Sequence, residues 1–114
     1  MLELLVALAL PFKATLHAPT HTPRVNRPWP ISIRVTDPAG RPVRARVTMR
    51  FLFAGVPVGK VDKGRVYTFT GTWREPKGEE ITFPADSRGS RLTFQAVVTA
   101  RGRTTKLNYW VRPR

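Results

Sequence analysis

The chain has 114 residues, room for one domain with one core, and its hydrophobic content of 41% excludes wholesale disorder. It carries no cysteine, which excludes a disulfide framework and a zinc–thiolate site. Twenty Lys and Arg against seven Asp and Glu leave a formal net charge of +13, a balance that favours polyanionic partners (nucleic acid, anionic membrane surfaces, acidic glycans) and equally suits a merely solvated arginine bias.

The opening MLELLVALAL is cut short by Pro11 and is too short to span a bilayer, so no transmembrane segment is expected there. Leu2, Leu4, Val6, Leu8 and Leu10 alternate on one side, with Leu5, Ala7 and Ala9 on the other. A strand apolar on both sides wants burial on both, between layers of its own domain or against a neighbouring subunit. A secretory leader is the competing reading; the missing basic start and Glu3 stand against it. The chain therefore divides into residues 1–11, an extra N-terminal apolar strand, and residues 12–114, a single β domain.

After Pro11 the chain is a succession of short alternating runs separated by Pro and Gly turns. FKATLHA (12–18) sets Phe12, Ala14, Leu16 and Ala18 against Lys13, Thr15 and His17, and three prolines make 19–28 a loop. WPISIRVTD (29–37) puts Trp29, Ile31, Ile33 and Val35 on one side. DPAGRP (37–42) is a turn, because Pro38 presets φ and Gly40 allows positive φ. In RARVTMRFLF (44–53), Ala45, Val47, Met49, Phe51 and Phe53 oppose Arg44, Arg46, Thr48 and Arg50. Residues 55–64 read as a loop with at most a short edge strand at Val56 and Val58, and 65–73 as one strand. ITFP (81–84) reads as a short strand ended by Pro84. RLTFQAVVTA (91–100) and TTKLNYWVRP (104–113) flank a three-residue connection, RGR, with Gly at its centre. This spacing predicts an all-β fold, an antiparallel β-sandwich of about seven strands with Greek-key connections.

Residues able to do chemistry are few. The serines lie outside any G-x-S-x-G context, and Pro19 separates His17 from His21, so the two histidines cannot share a helix face. GVPVGK (55–60) is one residue short of a phosphate loop, and Glu79 and Glu80, being adjacent, point apart in a strand. The expectation is no enzyme, no metal site, no cofactor and no small-molecule substrate.

VTDPAGRPVRARV (35–47) resembles the strand–turn–strand signature of bacterial immunoglobulin-like domains of the invasin type: hydrophobic–Thr–Asp, a Gly-containing turn, Pro–Val, then small–x–Val. RLTFQAVVTARGRTTKLNYWV (91–111) is similar to their closing pair of strands. The resemblance implies an immunoglobulin-like fold and a structural, spacer or adhesive module that is extracellular or at the cell surface. Some such domains cross-link a Lys to an Asn between first and last strands, which would pair Lys13 with Asn108, although both fall on the polar phase.

Two binding surfaces follow. Shared by one sheet, the strand 44–53 and the two closing strands would present Arg44, Arg46, Arg50, Arg91, Lys106, Trp110 and Arg112 on one outer face. Arg101 and Arg103 would stand at the hairpin end, and together these residues would bind a polyanion. The alternative is that arginine stems simply cover the sheet. Separately, Leu2, Leu4, Val6, Leu8 and Leu10 could complete a neighbour's sheet and link identical subunits into an oligomer or fibre.

Overall fold

The computed structural model describes residues 10–114. Among them are eight strands: β1 (Lys13–His17), β2 (Ser32–Thr36), β3 (Arg44–Phe53), β4 (Val56–Lys60), β5 (Tyr67–Thr70), β6 (Thr72–Arg74), β7 (Leu92–Ala100) and β8 (Arg103–Val111). They form two antiparallel sheets. The smaller runs β1-β2-β6 and the larger β4-β3-β7-β8, with β5 pairing β3 beside β4. Of the N-terminal apolar set, Leu2, Leu4, Val6 and Leu8 lie outside the described residues, and Leu10 is exposed.

Period-two alternation produces these sheets, because successive side chains of a strand leave on opposite faces. In β3, Ala45, Val47 and Met49 are buried while Arg44 and Arg46 stay exposed. Ile33 and Val35 of β2 are fully buried and face the same core, as do Phe94, Ala96 and Val98 of β7. Trp29, Phe51, Phe83 and Phe94 meet edge to face at its centre, with ring centroids 5.4–5.5 Å apart. Trp29 resolves its one polar atom by donating from Nε1 to the Thr20 carbonyl at 2.9 Å.

Three sequence expectations need correction. Residues 65–73 are not one strand. Gly71, at φ 82°, breaks the run, so β5 belongs to the larger sheet and β6 to the smaller. Its carbonyl accepts from the Val35 N–H at 2.7 Å, and its own N–H donates to the Val43 carbonyl at 3.1 Å, so one residue is bonded toward both layers. Residues 81–84 are not a strand either. They form one isolated bridge, Ile81 to Trp29, and deliver Phe83 into the core from a loop. Third, Arg101 (φ 48°) and Gly102 (φ 72°) make a two-residue turn of type I′ between β7 and β8 in place of a three-residue connection. Ala54 (φ 51°) and Gly55 (φ 80°) make the same turn between β3 and β4.

The turn at 37–41 forms as the sequence indicates. Gly40 N–H donates to the Asp37 carbonyl at 2.9 Å, with Gly40 at φ 87°. The Asp37 carboxylate completes it, accepting from the N–H groups of Ala39 and Arg41 at 2.9 Å and from Arg41 Nε at 2.8 Å. The Arg41 N–H, more than any other group, holds the Asp37 carboxyl below its ordinary value.

Candidate functional site

The register of the larger sheet determines which side chains share its outer face. Arg46 lies opposite Thr68 on one side and Thr99 on the other; Thr99 in turn lies opposite Thr104. Thr48 lies opposite Val97, and Val97 opposite Lys106. Arg50 lies opposite Lys60 and Gln95, and Gln95 opposite Asn108. Leu52 lies opposite Thr93, and Thr93 opposite Trp110. Arg44, Arg46, Arg50, Lys106 and Trp110 therefore do stand on one face, interleaved with threonines and a few apolar side chains.

The remaining candidates lie at its margins. Arg91 precedes β7 and Arg112 follows β8, both exposed. Arg101 occupies the β7–β8 turn. Arg103 pairs with buried Ala100, so it starts on the inward phase, opposite to Lys106. Lys60 belongs to the face but was not legible in the sequence, because its membership depends on β4 pairing with β3.

Two arrangements limit what this face can do. First, Trp110 is not a bare platform. The residue is 39% exposed, but His21 stacks on its ring at 4.1 Å between centroids and on Tyr109 at 3.9 Å, while the Arg91 guanidinium carbon lies 4.9 Å from the Trp110 centroid. His21 Nδ1 also lies 2.6 Å from the Trp110 carbonyl oxygen, and the His21 carbonyl accepts from the Arg112 N–H at 2.8 Å. A sugar or base stacking on Trp110 would have to displace these neighbours. Second, Arg50 Nε donates to Gln95 Oε1 at 2.7 Å, and Gln95 Nε2 donates to Asn108 Oδ1 at 2.9 Å. This ladder crosses three strands and leaves Gln95 5% exposed. Arg50 is thereby partly committed to holding the sheet.

The electrostatics are one-sided. The five strands of the larger sheet contain no Asp or Glu, and the ion pair formed among the described residues, Arg41 with Asp37, lies in the β2–β3 turn. Lys13 is exposed on the outer face of the smaller sheet and Asn108 on that of the larger, so the fold holds this Lys–Asn pair apart.

A separate cavity of about 370 Å³ beside the smaller sheet is lined by His17, Ser32, Arg74, Lys77, Glu80 and Glu75 among others. Glu75 Oε2 accepts from the Ile81 N–H at 3.0 Å, whereas Oε1 is buried without a partner. Burial raises the Glu75 carboxyl to about 7, against the opposing pull of the Ile81 and Ile31 amides. The carboxyl ties Glu75 to Ile81, the residue that bridges Trp29.

The chain matches no known protein-family model, no curated protein and no solved structure.

Proposed function

We propose that this chain is a non-catalytic structural and interaction module, an immunoglobulin-like sandwich of a surface or extracellular assembly, whose copies join through residues 2–10. The observation that carries the reading is the strand order. We read the sheet β1-β2-β6 as strands A, B and E and the sheet β4-β3-β7-β8 as strands C′, C, F and G of the immunoglobulin-like plan, with β5 an addition beside β4. On this reading the turn joining β2 to β3, the segment of the family resemblance, is the B–C turn.

Support for assembly comes from the sheet edges. Natural edges are blunted, and β4 carries Pro57 and a register shift that do so. The outer edge of β8 is longer, and among the described strands none pairs with it beyond β7. Residues 21–25 cover only its C-terminal end, through the bonds of Arg112 and Arg114 to His21 and Pro23. Leu107 and Tyr109 remain half-buried beside this edge. An incoming strand apolar on both sides would pair with the backbone there and cover those side chains.

Light scattering across an elution profile, at low and high salt, tests the reading. The intact chain is expected to elute as an oligomer at both, and the variant Leu4→Lys/Val6→Lys/Leu8→Lys as a monomer. An intact chain that stays monomeric at all concentrations removes the assembly, as does a variant that still assembles.

The second reading is a polyanion-binding module, favoured by one specific observation: the larger sheet carries cations and no carboxylate. It rests on charge density rather than on stacking at Trp110. Its mark is affinity that falls steeply with salt.

A further inference from the structure

We propose that the cleft at the β7–β8 hairpin end of the larger sheet, between Arg44, Arg46 and Arg101, is a binding site for a sulfate or phosphate group of an acidic polymer. The inference rests on the second reading above and narrows it from a face to one place.

The cleft has a volume of about 570 Å³, and Arg44, Arg46, Arg101, Thr68, Thr99 and Gly102 are among its lining residues. Sheet register builds it. Arg44 and Arg46 are two apart on β3 and so leave on the same face. Arg46 lies between Thr68 and Thr99, which bring two hydroxyls to the same wall. The Thr99 and Thr104 hydroxyls share a hydrogen bond of 3.0 Å. The β7–β8 turn then sets Arg101 at the rim, where its Nη1 donates to the Pro11 carbonyl at 3.4 Å.

Two features point to an oxyanion. The donors are of the right kind, since guanidinium groups present fork-like pairs of N–H that match sulfate and phosphate oxygens, and hydroxyls add single donors. Among the described residues no carboxylate lines the cleft, so Arg44, Arg46 and Arg101 gather three like charges there. Arg101 occupies the first position of a type I′ turn, at φ 48°, as Ala54 does in the β3–β4 turn, and Asn fits that position with less strain.

The test uses the full chain. Its melting midpoint is compared in sodium sulfate and in sodium chloride at equal ionic strength, and its affinity for dextran sulfate is measured at low salt. Arg44→Gln/Arg101→Asn removes two cleft charges with a turn-compatible residue at 101. Lys60→Gln/Lys106→Gln removes two charges elsewhere on the same sheet, and Arg44→Lys/Arg101→Lys keeps the charge but not the fork. The intact protein is expected to melt higher in sulfate, because an anion that binds only the folded state stabilises it. The first variant should lose that shift and about ten-fold in affinity for the polymer, the second only about two-fold, and the third most of the sulfate shift. Equal losses in the first two variants, or a lysine variant indistinguishable from the intact protein, would overturn the cleft and leave the polyanion reading standing. No binding of dextran sulfate by the intact protein would remove both.

Discussion

Glu75 is the side chain whose environment suits its ionised form least. Its carboxyl titrates near 7 in the folded chain against an ordinary value of 4.5. Below the ordinary value the group is protonated in both states and linkage is silent. Between the two values the unfolded chain sheds its proton first, so folding weakens as pH rises, and it levels off above about 7. Discounted for the part of the group that water reaches, the loss is about 1–2 kcal/mol. Glu75→Gln keeps an acceptor for the Ile81 N–H and removes the charge. Urea denaturation should show the variant more stable than the parent at pH 8 and close to it at pH 4.5. Asp37 behaves with the opposite sign. Its carboxyl is held low, so its contribution is present above the ordinary value of 3.8 and is lost as pH falls through the depressed one. Asp37→Asn should lower the urea midpoint at neutral pH, and the difference from the parent should vanish in strong acid.

Among the elements, the two type I′ hairpins and the β5–β6 crossing determine how the layers connect. A Cβ at Gly71 would meet Pro42 Cβ at 3.0 Å, and the backbone there sits at φ 82°. Gly71→Ala therefore combines a contact with positive-φ strain and should cost about 1–3 kcal/mol in chemical denaturation. A loss below a few tenths would mean the crossing relaxes freely. The β3–β4 turn offers the reverse case. Ala54 holds φ 51° ahead of Gly55, a position that Asn adopts readily. Ala54→Asn should raise stability by about 0.5–1 kcal/mol, read as a higher melting midpoint with unchanged far-ultraviolet dichroism.

For the whole molecule, a net charge of +13 set against one ion pair among the described residues implies self-repulsion that salt screens. The melting midpoint should accordingly rise between 50 and 500 mM sodium chloride, by about a few degrees; a flat or falling response would mean the cations are spaced widely enough not to interact. The inner and outer sides of β3 were legible in the bare chain from Arg44 to Phe51, as was the turn at 37–41, whereas Phe53, expected on the inner side, is exposed beyond the register shift at Phe51 and Leu52. Both depend on neighbours in sequence: alternation of side chains along a pleated strand, and φ preset by Pro38 and released by Gly40. The split at Gly71, the place of Lys60 on the outer face and the seating of Phe83 from a loop were not legible. Nor was the stacking of His21 on Trp110. Each joins segments far apart in the chain, and local periodicity says which way a residue faces but not which strand lies next to it. Composition and period-two patterning thus decided layers, charge and phase. Tertiary pairing decided which arginines share a cleft and which carboxyl is buried, because those facts depend on inter-strand register.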